Sequence, residues 1–418
     1  MKHVWILNHY AKPPEAAGGA RHFQLARHLP GHGWRATLIA SSVDHPGGHQ
    51  RLDNGEQARL ETRDGVPFLW LRTASYRGNG GGRMKSMLEY ARQAVRPGRL
   101  AGIDRPDLII GSSVHPFAAL AGWWLARRHR VPFVFEVRDL WPQTLIDMGR
   151  LREGSLVTRA MRTLETFLYR RARRVLTLLP RARDYIVPRG VPAERVVWLS
   201  NGVDLDDYPD PVPPPVRPPE MPLSLMYFGG HGEANGLEVL VAAMGRVREA
   251  CERSGGAVPV QLRLIGDGPA KPALQRQATE LGLDGRWVRF EPPVPKREIP
   301  RLAREADAFV ITVRDLPRLY RFGISMNKLF DYMAAARPVV IASGAVNDPV
   351  ADAGAGITVP PEDPAALAEA ILGLAALPAE EREALGRAGR DHMEAAYDYR
   401  ILAGRLAGVM NDVMEEAQ

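Results

Sequence analysis

The sequence predicts an α/β protein of two domains, each a doubly wound parallel sheet with helices on both faces. Three observations predict it. Short apolar runs alternate with helical patterns from end to end. A proline-dense stretch at 204–222, DLDDYPDPVPPPVRPPEMP, breaks that alternation once and cannot form a helix interior or a central strand. The 418 residues suit two cores of about 200 residues rather than one.

The strands expected in the first half are HVWILN (3–8), RATLIAS (35–41), PFLWLRT (67–73), DLIIGSS (107–113), PFVFEV (132–137), RVLTLL (174–179) and RVVWLS (195–200). Helical spacing places helices at 18–29, 83–97, 116–129 and 155–172. After the linker the alternation restarts with PLSLMYFG (222–229), VQLRLIG (260–266), WVRFE (287–291), DAFVITV (307–313), PVVIA (338–342) and ITV (357–359), with helices at 236–252, 270–281, 297–305 and 363–376. Amphipathic helices fill the chain from about 380. The expected domains are therefore 1–203 and 223–398, joined by 204–222, with a last helix at 399–418 returning to the first domain. Two Rossmann-like halves of this kind carry ligands at the carboxyl ends of their strands, with a cleft expected between them.

Composition narrows the function. With 45% hydrophobic and 25% charged residues the chain is globular. Cys251 is its only cysteine, which excludes an internal disulfide and suits a reducing compartment. The longest apolar stretch, FAALAGWWLA, falls far short of a membrane span, and the first strand is too short an apolar run for a signal peptide. A cytoplasmic protein is expected. The net charge of +7 is concentrated in basic runs such as ARRHR (126–130) and YRRARR (169–174). No zinc spacing, helix-turn-helix or aromatic-basic RNA motif accompanies them, so an anionic membrane surface is a better expected partner than nucleic acid.

Chemistry concentrates in five places. In FGISMNKLFDYMAAARPVV (322–340), a glycine-containing turn enters a helix whose apolar positions Met326, Leu329, Phe330 and Met333 form one stripe. Its opposite face holds Asn327, Lys328 and Asp331 near a helix N-terminus, which suits a phosphate and a ribose. After the first strand, Gly18 and Gly19 precede a helix; the stretch lacks the strict dinucleotide fingerprint, so NAD is disfavoured. Gly229, Gly230, Gly232 and Gly236 form a matching turn in the second half without the Lys-Ser/Thr of a P-loop, and Gly266 and Gly268 form a third. EVRDLWP ends the fifth strand with Glu136, Arg138 and Asp139, where Asp139 suits an acceptor hydroxyl and Arg138 a phosphate charge; His115 lies at the same edge. The Asp204-Leu205-Asp206-Asp207 run reads as linker chemistry, and no metal or other cofactor is expected.

In order along nearly the whole chain, PPEAAGGARH, SNGVD (200–204), LIGDGP (264–269) and the 322–340 block resemble retaining glycosyltransferases of family 4, which have the GT-B fold. The resemblance is closest to the O-antigen and capsule subgroup that includes N-acetylfucosaminyl transferases. It implies a UDP-sugar donor and a lipid-linked polyprenyl diphosphate or glycan acceptor, used in cell-surface polysaccharide synthesis on the inner face of the membrane. It also implies donor contacts from Gly18, Gly19, Gly229, Gly230, Asn235, Gly266, Arg321, Gly323, Ser325, Asn327, Lys328 and Asp331, and catalytic roles at Glu136, Arg138, Asp139 and His115. Asp331 stands where the family's ribose-binding glutamate is, and Gly323 where its sugar-facing glutamate is. Gly230 and Asn235 replace the family's Arg and Lys on the diphosphate loop, so Lys328, Arg138 and Arg321 are the candidates to supply those charges. A UDP-sugar 2-epimerase and a non-catalytic nucleotide-sugar binder are the competing readings.

Overall fold

The computed structural model describes residues 1–16, 20–45, 47–76, 80–113, 115–208, 221–255, 259–283 and 285–417. They form two compact units, one of residues 1–201 with 399–418 and one of residues 202–398.

The first unit holds eight strands: β1 Lys2–Leu7, β2 Trp34–Ser41, β3 Ala58–Arg63, β4 Val66–Leu71, β5 Leu108–Ser113, β6 Phe133–Val137, β7 Arg174–Thr177 and β8 Val196–Trp198. Their order is β3-β4-β2-β1-β5-β6-β7-β8. Every pairing is parallel except β3 with β4, where Ala58 lies opposite Leu71. The all-parallel expectation is corrected there. β3 has the half-exposed, charged sequence ARLETR, which lacks the continuous apolar run that marks a strand covered on both faces. It is an edge strand, and its charges suit an edge. β1 and β5, by contrast, are buried along almost their whole length.

Three helices pack near the functional edge of this sheet: α1 Arg21–His28, α2 Gly81–Val95 and α3 Pro116–His129. α3 lies directly on β5 because Gly111 has no side chain. A Cβ there would sit 2.7 Å from the Ala119 Cα. The Tyr399–Glu415 helix buries Leu402, Leu406, Met410 and Val413 in the same core as Phe23, Leu25 and Trp34, and Asn411 accepts from the Trp34 indole at 3.1 Å.

The second unit is a six-stranded, wholly parallel sheet of β9 Leu223–Phe228, β10 Val260–Ile265, β11 Val288–Glu291, β12 Ala308–Thr312, β13 Val339–Ala342 and β14 Gly356–Val359. Its order is β11-β10-β9-β12-β13-β14. Residues 204–208, expected in the linker, are folded into this unit. Asp204 caps the Leu205–Asp207 turn through the Asp206 N–H, and Leu205 and Tyr208 join its core. Residues 209–220 of the proline-rich stretch lie outside the described residues. No helix among the described residues is long and apolar enough to cross a membrane.

The order reverses once in each sheet, between β1 and β5 and between β9 and β12. Loops leaving a parallel sheet at such a point diverge to opposite faces and open a crevice at the strands' carboxyl ends. The Gly111→Ala substitution is expected to force α3 off β5 and to destabilise the first unit by about 1–3 kcal/mol, measured by urea unfolding; an unchanged midpoint would show that α3 is not seated by that contact.

Candidate functional site

At the β9/β12 switch the sequence-predicted residues come together. β9 leads into Gly229, whose φ of 154° lies in the range open mainly to glycine. Gly266, at the end of β10, has a φ of 146°, and a Cβ on it would lie 2.0 Å from the Gly229 carbonyl oxygen. The two turns therefore pack backbone against backbone. Gly230 contributes its carbonyl, which accepts from the Tyr227 hydroxyl at 2.9 Å and from Asn235 Nδ2 at 2.8 Å. Thr312, at the end of β12, donates to the Asn235 carbonyl at 2.6 Å and ties this loop to the second strand of the switch.

Lys328 reaches into that loop from the Asn327–Ala334 helix. Its Nζ donates to the Tyr227 hydroxyl at 2.7 Å and to Asn235 Oδ1 at 2.8 Å, and lies 4.4 Å from the Tyr227 ring centroid. Neither partner is a carboxylate, and burial pushes its pKa down to about 7. The helix itself starts at Asn327, and its N-cap residue, Met326, supplies no side-chain cap. Leu329, Phe330 and Met333 are buried as the spacing predicts, while Met326 is only partly covered.

Three expectations about this helix and its approach are revised. Asp331, expected to be open to a ribose, is buried and already engaged. It accepts from Lys296 Nζ at 2.5 and 2.6 Å and from the Tyr208 hydroxyl at 2.9 Å. With three of roughly four lone-pair directions used, it can take a further hydroxyl only together with Lys296. Gly323 has a φ of 99°, a conformation that strains any L side chain, so its glycine serves the backbone. The loop is held there by Asn347, which accepts from the Ile324 N–H at 2.7 Å and donates to its carbonyl at 3.1 Å. Arg321 is exposed, with its guanidinium 4.6 Å from the Phe322 ring rather than beside Lys328's partners. Ser325 is half-buried just before the helix.

In the first unit, Gly18 and Gly19 lie outside the described residues. Glu136, expected to act at the strand edge, is instead a buried anchor. It accepts from Arg21 Nε at 2.9 Å, from the Ser112 hydroxyl at 2.6 Å, and from His22 at 2.5 Å. Burial alone would raise its pKa, but His22 and Arg21 hold it well below the ordinary glutamate value. Burial pulls His22 itself down, while Glu136 beside it pushes it up. Arg21 also donates to the Leu199 carbonyl at 2.9 Å and to the Ser200 carbonyl, which joins α1 to β6 and the end of β8.

His115 is fully buried at the start of α3, and burial holds its pKa at about 3. Its Nε2 meets Nδ1 of His9 at 2.7 Å, and the His9 ring stacks between Tyr10 and Tyr90. The residue expected at the catalytic edge is thus an enclosed imidazole in contact with His9. Arg138 and Asp139 follow β6, with Asp139 exposed and Arg138 half-buried. Sequence reasoning missed Lys296, Tyr208, Tyr227, Arg21, His22 and His9. His9 had a local signal in NHY directly after the first strand, Arg21 and His22 close the PPEAAGGARH stretch, and Tyr227 lies in the strand before the second glycine turn.

The glycosyl transferase 4-like domain matches residues 18–202, and the glycosyl transferases group 1 domain matches residues 222–376. The chain is similar to the 2-deoxystreptamine N-acetyl-D-glucosaminyltransferase of Streptomyces fradiae, 29% identical over 329 residues that cover 73% of each protein. Among solved structures it resembles sucrose-phosphate synthase from Thermosynechococcus elongatus, with a TM-score of 0.73 and 18% identity over 100% of both chains. It also resembles Anabaena HepE in complex with UDP-glucose, with a TM-score of 0.63 and 17% identity over 99% of this chain and 100% of that one. The shared fold is GT-B.

Removing the Glu136 carboxylate leaves a buried guanidinium without its counter-charge. Glu136→Ala is expected to cost about 3–5 kcal/mol in urea unfolding, and Glu136→Gln less. Because the folded pKa is depressed, the pair stabilises the protein above the ordinary glutamate range and is lost only as pH falls through the lower folded value. A loss below about 1 kcal/mol for Glu136→Ala would refute the anchor role.

Proposed function

We propose that this chain, which belongs to the glycosyltransferases assembled from a 4-like and a group 1 domain, moves an N-acetylated hexosamine or deoxyhexosamine from a UDP-sugar to a hydroxyl of a lipid-linked or glycan acceptor. Retention at the anomeric carbon and a place in cell-surface polysaccharide synthesis follow from the motif resemblance. The observation that carries the reading is Lys328. Its ammonium stands at the β9/β12 switch, held by two neutral partners, on the first turn of a helix whose N-cap Met326 supplies no capping side chain. That arrangement suits a diphosphate.

In the reaction the bond between the anomeric carbon and the diphosphate oxygen breaks, and UDP leaves with the electron pair. The acceptor oxygen bonds to the same carbon on the same face, and its proton passes to the departing phosphate oxygen. Lys328 and the helix N–H groups offset the charge that develops on the leaving group, each donor contributing about 3 kcal/mol in a dry site. The turns at Gly229 and Gly266 let main chain approach the phosphates where a Cβ would intrude. Lys296 and Asp331 together take the ribose, the lysine as donor and the carboxylate as acceptor. The reaction is assigned to protein groups alone, without a metal.

Lys328→Ala is expected to weaken UDP binding roughly 10–100-fold, the value of a hydrogen bond to a charged group. A diphosphate favours the charged ammonium, so binding above pH 7 takes up a proton. Affinity for UDP should therefore be level below about pH 7 and fall by up to tenfold per pH unit above it. Calorimetric titration of UDP into wild type and Lys328→Ala from pH 6 to 9 checks both. Equal affinity in the two proteins would remove the assignment, and release of an epimerised donor without acceptor would favour the epimerase.

A further inference from the structure

The first unit leaves large apolar side chains uncovered on three neighbouring helices. Met84 and Leu88 stand on α2, Trp124 on α3, and Leu156 and Val157 at the start of α4 Leu156–Arg171. Leu156 and Val157 are 80% and 58% exposed, whereas the described residues of the second unit show only Met221 and Val346 in this way. α3 packs against both of the other helices, and its Trp123 ring meets Phe167 of α4 edge-on at 4.8 Å. The three helices therefore form one continuous layer, and the uncovered side chains lie on its outer side.

The charge on that layer has one sign. Lys85 and Arg92 on α2, Arg127 and Arg128 on α3, and Arg159 and Arg171 on α4 are all exposed. α3 contains no acid. The single acid of α4, Glu165, is buried and accepts from the Tyr169 and Tyr185 hydroxyls at 3.0 and 3.1 Å. That of α2, Glu89, is half-buried and accepts from the Ala74 N–H at 2.6 Å. Three of the arginines lie over rings instead of carboxylates: Arg127 is 5.8 Å from Trp123, Arg128 5.4 Å from Trp124, and Arg171 5.4 Å from Phe167. A ring holds a guanidinium without neutralising it, so the positive field stays open to an anionic partner.

Cations and uncovered aliphatic chains on one layer favour one occupant. Nucleic acid would meet the arginines and leave Leu156 and Val157 in water. A second copy of the chain would set the same arginines against one another. An anionic bilayer takes both groups, its phosphates facing the arginines and its acyl boundary the apolar chains, with tryptophan at the level between them.

We propose that the layer of α2, α3 and α4 docks this protein on an anionic lipid surface, with Leu156 and Val157 entering the headgroup region and the arginines around them on lipid phosphates. The inference goes beyond the transfer reaction and does not depend on it. The basic runs at 126–130 and 169–174 are its trace in the sequence.

The test sediments full-length protein with vesicles of phosphatidylcholine and of a phosphatidylcholine–phosphatidylglycerol mixture. Wild type is expected to bind the mixed vesicles roughly tenfold or more tightly than the neutral ones, and less tightly as salt rises. Leu156→Ser with Val157→Ser, and Arg127→Gln with Arg128→Gln, should each weaken that binding roughly tenfold. Arg246→Gln with Arg276→Gln removes the same charge from exposed positions of the second unit and should change nothing. All six side chains are exposed, so thermal unfolding and UDP affinity should match wild type in every variant. The proposal is overturned if wild type ignores the mixed vesicles, if it binds neutral ones equally, or if the Arg246 and Arg276 pair weakens binding as much as the other pairs. It is also overturned if the serine pair binds as wild type does, which would leave only the attraction of a cationic protein to any polyanion. Should UDP fail to bind while the vesicle pattern holds, the donor assignment falls and this surface stands.

Discussion

Parallel strands all finish at one edge, and that constraint decides where this protein can do chemistry. Each sheet is started in the middle and extended first to one side and then to the other. The loops after the two central strands must part, and polar groups gather there. In the second unit the gathered groups are Gly229, Asn235, Thr312 and Lys328. In the first they are His9, Ser113 and His115, with Arg138 one strand further on. The two sets differ in how far they are satisfied. Lys328 has found neutral partners, whereas the Ser113 hydroxyl and His115 Nδ1 find none among the described residues.

The position of Lys328 answers a question that the motifs raise. The loop after β9 carries Gly230 and Asn235 where the family resemblance leads one to expect an arginine and a lysine, so it offers neither cation itself. One of those positions, Asn235, now accepts a hydrogen bond from Lys328 at 2.8 Å. Lys328 thus brings a cation to that loop from the neighbouring helix. A neutral amide holds an ammonium without quenching it, as a carboxylate would. The cost is partial burial of a cation held by neutral groups, which lowers its pKa, and an anion would relieve it.

Most of the fold was legible because parallel strands covered on both faces appear as continuous apolar runs. β1, β5, β9 and β12 all fall where such runs predict them. β3 escaped for the opposite reason, since an edge strand needs no apolar run and ARLETR has none. The helix carrying Lys328 was legible from its apolar stripe and its polar opposite face. The partners of its residues were not. Lys296 reaches Asp331 across 35 positions and Tyr208 across 123, and no local pattern encodes such a pairing. Glu136 was misjudged from the same lack. A carboxylate at a strand's carboxyl end suggests an acid, but α1 places Arg21 and His22 against it and turns it into a structural anchor.

Gly323 shows that a missing side chain can be a conformational choice. A glutamate in that position would have to adopt a φ of 99°, at a cost of about 1–2 kcal/mol, unless the loop were rebuilt. The loop cannot easily be rebuilt, because Asn347 binds both the N–H and the carbonyl of Ile324. Glycine and asparagine therefore fix one loop shape between them. That shape delivers Ser325 and the uncapped helix N-terminus to the place where Lys328 waits. A carboxylate added near that ammonium would pair with it and lower the field available to a diphosphate. Gly323 and Lys328 are consistent parts of one arrangement, in which a fixed loop and a single lysine without a carboxylate partner work together.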